Sequence, residues 1–160
     1  QFNLNKKYTY TDVCWLLNWK VEEVSLNIGG YKYDKYTNTY PVFINYDKSE
    51  EVSASIRYED RFVDQSRLIA ISKSQRTIAS DDVDNAIHAE ERHILMPLFV
   101  RKNKDDKTSK EFYFLGTIKH NGHLQEFIMP DTDKSAVEIG YHLNTPVENN
   151  LYEYITERTI

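Results

Sequence analysis

The chain has 160 residues, 40% of them hydrophobic and 28% charged, and a formal net charge of −5. This is the composition of one ordinary globular domain, long enough to bury about two-thirds of its unfolded surface. It excludes a helical membrane span, since no apolar run approaches the roughly 20 residues a bilayer requires. It also argues against a simple polycation that coats nucleic acid.

The chain opens on Gln1 and carries no signal-like start, which is expected of a piece of a longer protein. Cys14 is the single cysteine, so neither an internal disulfide nor a cysteine metal cluster can form, and a reducing cytoplasm is the expected compartment.

The first predicted element is a short helix over about 11–19. Thr11-Asp12 can cap it, and Val13, Leu16 and Leu17 recur at helical spacing, with Trp15 and Trp19 one turn apart as core. Cys14 falls within that apolar pattern, where a buried, inert thiol is expected.

Beyond Ser25 the rhythm is that of strands: 28–33, 40–46 and 53–58 are rich in Tyr, Ile, Val and Phe, broken by Gly29-Gly30 and Asp47-Lys48. Ser80-Asp81-Asp82 opens a helix to about His88, with acids at its positive end. Four strands follow, at about 93–101, 111–119, 123–129 and 136–143. Asn121-Gly122 predicts a two-residue hairpin turn between the middle pair. Residues 102–110 form a polar loop, and Glu148 to Tyr154 closes with a helical turn. Many short strands with few helices predict one α+β unit, a twisted barrel with two or three flanking helices.

Charge is segregated. Residues 57–76 carry a local +2 and residues 101–119 a local +3, leaving −10 on the rest. Such a distribution permits a cationic face, although charge runs also occur as plain solvated loops.

Residues 57–77 combine an aromatic, two carboxylates and a short apolar run bordered by cations. A carboxylate two residues after a tyrosine suits a pocket for a flipped cytosine, the ring stacking on the base and the acid accepting from its exocyclic amine. In extended chain Tyr58 and Asp60 share a face and Glu59 points away.

Enzyme signatures are missing: the five glycines form neither a phosphate loop nor a dinucleotide fingerprint, and there is no Gly-x-Ser-x-Gly elbow. His88 and His93 are five apart, diverging by about 140° on a helix. His120 and His123 flank the expected turn without a third ligand. Glu59 and Asp60 could alternatively serve as general acid and base or as metal ligands, but no further acid and lysine stand at nuclease-like spacing. No catalytic residue, metal or cofactor is assigned.

Tyr8-Thr9-Tyr10-Thr11-Asp12-Val13-Cys14-Trp15-Leu16-Leu17-Asn18-Trp19 resembles the start of a domain found at the C-terminus of bacterial helicase-nuclease proteins. Tyr40-Pro41-Val42-Phe43-Ile44, Tyr58-Glu59-Asp60-Arg61-Phe62, Ser74-Gln75-Arg76-Thr77, Leu98-Phe99-Val100 and Phe112-Tyr113-Phe114-Leu115-Gly116 extend the match over about 8–155. The chain resembles the C-terminal SRA-like (PUA-like) domain of SauUSI-type type IV modified-cytosine restriction enzymes, where a nuclease and an ATP-driven helicase precede it. The resemblance implies a PUA/SRA-like barrel that flips 5-methylcytosine or 5-hydroxymethylcytosine out of double-stranded DNA and has no catalysis of its own.

Carried over residue by residue, Tyr58 is the stacking ring and Asp60 the edge reader, with Glu59 as alternate. The second wall falls at Ala70-Ile71-Ser72, where the chain lacks the family's aromatic. Either Ile71 supplies an aliphatic wall, or Tyr40, Tyr46 or Phe62 closes the cage, or the pocket lies elsewhere. Phosphate contacts are expected from Arg57, Arg61, Lys73 and Arg76, then Arg101, Lys102, Lys104 and Lys107.

Extruding a base costs a few kcal/mol. Stacking returns about 1–3 kcal/mol, and a well-placed carboxylate about 1–3 kcal/mol of discrimination. Net affinity therefore has to come from phosphates and must depend on salt. The competing reading is a structural or protein-contact module of a helicase, with Tyr58 in the core and Asp60 as a turn or cap residue.

Overall fold

The structure is a computed structural model that describes residues 2–20, 30–46, 59–102, 110–130 and 132–157. Ten elements follow in order: β1 (Lys7–Tyr8), α1 (Tyr10–Leu16), β2 (Val42–Asn45), β3 (Arg61–Asp64), β4 (Arg67–Ile71), α2 (Asp81–Ile87), β5 (Pro97–Arg101), β6 (Phe112–Ile128), β7 (Ser135–Leu143) and α3 (Asn149–Thr156). The strands make one mixed sheet in the order β2-β5-β6-β7-β4-β3, with β1 also on β6. Among the described strands only the β2–β5 pair is parallel. The sheet curls into a half-barrel with three helices, as the α+β reading expected.

Strand alternation divides the core in two. Val42 and Ile44 of β2, Leu98 and Val100 of β5, and Leu68, Val137, Ile139 and Tyr141 enter the larger cluster. Phe43, Phe99, Phe112 and Phe114 point the other way, onto Val13, Cys14 and Leu17 of the N-terminal helix. Leu98, Phe99 and Val100 are all 0% exposed because the sheet is covered on both faces here.

Helix α1 begins at a capping box: the Thr9 hydroxyl accepts from the Asp12 N–H at 3.1 Å, and Asp12 accepts from the Thr9 N–H at 3.0 Å. The cap is thus Thr9, two residues before the expected Thr11, and Asn18 ends the turn at a φ of 62°. Cys14 is buried as expected, and burial pushes its thiol up to about 11. Trp19 is core, its indole N–H donating to Thr39 at 2.8 Å. Trp15 is not: it is 63% exposed, on the far side of the helix from Val13 and Leu17.

Two strand expectations change and a third is not tested. Residues 30–33 contribute only an isolated bridge, Tyr31 to Val42, and 53–58 lies outside the described residues. A hairpin that the sequence did not announce joins β3 to β4. Its turn is held by Asp64, which accepts from the Ser66 N–H at 2.9 Å and pairs with Arg67 at 2.7 Å.

The second correction concerns Asn121-Gly122, which is not a hairpin turn. Strand β6 runs through it, pairing His120 with Tyr141 and Leu124 with Ile139, so residues 121–123 bulge opposite Gly140. Gly122 takes the positive φ of 100° that Asn-Gly favours, and the Asn121 side chain accepts from the His123 N–H at 3.0 Å. The β6–β7 reversal lies further on, where the Met129 N–H meets the Lys134 carbonyl at 2.8 Å.

The bulge fills the space a side chain at 140 would need. A Cβ there would lie 2.6 Å from the His123 Cβ and still nearer the Asn121 side-chain oxygen. Gly140→Ala is accordingly expected to cost about 1–3 kcal/mol, read as a lower urea midpoint. A midpoint matching the parent chain would mean the bulge yields freely. No described helix is long and apolar enough to cross a membrane.

Candidate functional site

A cavity of about 270 Å³ opens where the end of β4 meets β2, lined by residues 30–31, 42–44, Asp60 and 70–73. Five residues singled out in the sequence therefore meet there: Asp60, Ala70, Ile71, Ser72 and Lys73. Pairing brings them together, because β3 folds back on β4 and places Asp60, just before β3, beside Ile71. The Asp60 Oδ1 accepts the Ile71 N–H at 2.7 Å. This bond fixes the orientation of the Asp60 carboxylate at the cavity.

Glu59 is half-buried and outside the cavity lining, and its carbonyl receives Arg61 at 3.5 Å. Ser72 has a bracing role. Its hydroxyl accepts from the Val137 N–H and donates to the Lys73 carbonyl, both at 2.9 Å, tying β4 to β7. Tyr58 lies outside the described residues, as do Arg57, Lys104 and Lys107.

Sequence reasoning missed Tyr31. It lines the cavity and its hydroxyl accepts the Lys73 N–H at 2.8 Å. Burial drives the phenol pKa well up, opposed in part by that N–H, so the ring stays neutral at working pH. The only sequence signal was position: an aromatic directly after Gly30, whose φ is 73°. The rings considered instead lie elsewhere. Tyr40 is 1% exposed with its hydroxyl on the Asp82 carbonyl, and Tyr46 accepts the Phe62 N–H at 3.1 Å, its ring tilted at 38° to that of Phe62.

A second cavity of about 260 Å³ shares Tyr31 and Lys73 with the first and adds Lys32, Arg76, Asp81 and Asp82. Lys73 is exposed, its ammonium 5.3 Å from the Tyr31 ring centre. Arg76 is bound to Asp82 at 2.7 Å, so a phosphate there has to compete with a carboxylate. Arg61 sits 3.6 Å from Glu138, which also takes the His123 imidazole at 2.9 Å.

Arg101 is half-buried, hydrogen-bonded to Asn45 and lying over the Phe112 ring at 4.5 Å. Lys102 is 4% exposed, its ammonium between Glu157 at 3.8 Å and the Tyr154 ring at 5.0 Å, so a phosphate there has to compete with a carboxylate.

Among the described residues no group of three or more His, Cys, Asp or Glu could hold a metal ion. His88 instead pairs with Asp84 at 3.1 Å, and His120 bonds the Gly140 carbonyl at 2.9 Å.

A family model described as a domain of unknown function, DUF3427, matches residues 2–155. The chain belongs to this family. No curated protein matches the sequence of this DUF3427 domain. Its fold is similar to the SRA domain of SUVH5 in complex with hemi-methylated CG DNA, with a TM-score of 0.57 at 10% identity over 92% of each chain. The SUVH5 SRA domain bound to fully hydroxymethylated CG DNA gives 0.54 at 11% identity, over 91% of this chain and 92% of that one. KRYPTONITE in complex with mCHG DNA and SAH gives 0.57 at 9% identity, over 92% of this chain and 33% of that one. The DUF3427 domain therefore has an SRA/PUA-like fold.

Proposed function

We propose that this domain recognises double-stranded DNA carrying 5-methylcytosine or 5-hydroxymethylcytosine, and that it takes the flipped base into the cavity beside Asp60. We propose further that it is the specificity domain of an ATP-dependent type IV restriction endonuclease, working with nuclease and helicase domains of the same longer chain. On this reading the domain itself performs no chemistry.

One observation carries the reading. A cavity holding an oriented carboxylate, Asp60, occurs on a fold whose solved neighbours include SRA domains in complex with methylated DNA. About 270 Å³ is near the small end of ligand pockets, roughly 300–1,000 Å³, which suits a single base. Asp60 would accept from the cytosine amine, Tyr58 would stack on the ring, and Lys73, Arg76, Arg61 and Arg101 would meet phosphates.

Fluorescence anisotropy with matched methylated, hydroxymethylated and plain duplexes at low salt tests this. Burying one methyl group supports a preference of about fourfold, from roughly 0.8 kcal/mol. Four phosphate contacts imply a log–log salt slope of roughly −3 to −4. The protein-contact reading draws on Trp15 and Leu16, 63% and 42% exposed on the N-terminal helix. Equal binding of all three duplexes, or none, decides for it.

A further inference from the structure

We propose that Tyr31 is an aromatic wall of the base cavity, standing in for the ring that the chain lacks at Ile71. This rests on the base-binding reading and adds the residue that would set its stacking energy. Three observations support it.

Tyr31 is half-buried and is the one aromatic residue that lines both described cavities. It is also held in place before any ligand arrives. The Lys73 N–H fixes the hydroxyl at 2.8 Å, the Tyr40 ring backs it at 5.7 Å and 32°, and a bridge to Val42 fixes its backbone. A wall already ordered loses little entropy on binding.

Finally, the other described ring on the cavity is engaged. Phe43 is 4% exposed and stacked on Phe99 at 5.1 Å and 18°, its face covered by the aromatic core. Because the Lys73 backbone bonds the Tyr31 hydroxyl and its ammonium lies over the ring, a phosphate drawn to Lys73 arrives beside the wall.

The test compares variants of the 160-residue chain on methylated and plain duplexes, with melting temperatures measured in parallel. Tyr31→Leu should weaken the methylated duplex about tenfold, within the range of one base–aromatic stack. Tyr31→Phe, which keeps the ring, should stay within about threefold. Ile71→Tyr added to Tyr31→Leu should recover most of the loss.

A natively folded Tyr31→Leu that keeps both affinity and preference overturns the wall while sparing the function. A parent chain without preference removes the function itself. If Tyr31→Leu unfolds, the unaltered chain decides through photocross-linking to a duplex with 5-iodocytosine in place of the modified base. A cross-link on Tyr31 supports the inference, and one confined to other residues overturns it.

Discussion

Asp60→Asn is expected to lower affinity for a methylated duplex by about tenfold and to remove the preference for it over a plain one, while leaving thermal stability nearly unchanged. The asparagine carbonyl can still accept the Ile71 N–H that Asp60 holds at 2.7 Å. The local fold therefore survives. What changes is the edge presented to the base: an amide N–H₂ replaces acceptor oxygen and meets the cytosine amine donor to donor. A good base-edge contact is worth about 1–3 kcal/mol of discrimination, which brackets the tenfold figure. Asp60→Ala is the harsher change, because it also strips the half-buried Ile71 N–H of its acceptor. Isothermal titration with methylated and plain duplexes reads both variants. Unaltered preference in Asp60→Asn would show that this carboxylate only braces β4.

Phe99→Ala should destabilise the domain by about 3–5 kcal/mol, the largest stability effect expected here. Phe99 is 0% exposed and lies among Phe2 at 5.3 Å, Phe43 at 5.1 Å and Phe114 at 5.5 Å. Each contact is lost at once, and a cavity opens between the N-terminal helix and the sheet. Because Phe43 both leans on Phe99 and lines the base cavity, DNA binding should weaken along with stability. Urea unfolding gives the first quantity. A loss under about 1 kcal/mol would mean that the aromatic cluster collapses around the gap.

Much of the architecture was legible because it is written in local patterns. Ser80-Asp81-Asp82 opens α2, Leu98-Phe99-Val100 is strand on any reading, and Glu148 starts α3 by accepting from the Asn150 and Leu151 N–H groups at 3.0 Å. The errors share a cause. Asn121-Gly122 reports positive backbone angles, and a bulge needs them as much as a hairpin does. Only the partner strand, with Gly140 opposite, chooses between the two. The β3–β4 turn, Asp64-Gln65-Ser66-Arg67, contains neither glycine nor proline, so nothing local marked it.

At the site the division is similar. Asp60, Ile71 and Ser72 were visible together because a hairpin keeps sequence neighbours close in space. Tyr31 was not, since it reaches the cavity through a bridge to β2. Lys102 looked like every other lysine of a basic loop until Tyr154 and Glu157, from the far end of the chain, closed over it.

The sequence by itself determined the class of fold, the start of α2 and the acid that lines the cavity, all properties of short windows. Tertiary structure alone decided which ring borders that acid and which cations stay open to solvent. Packing between distant segments sets burial, and no local pattern encodes it.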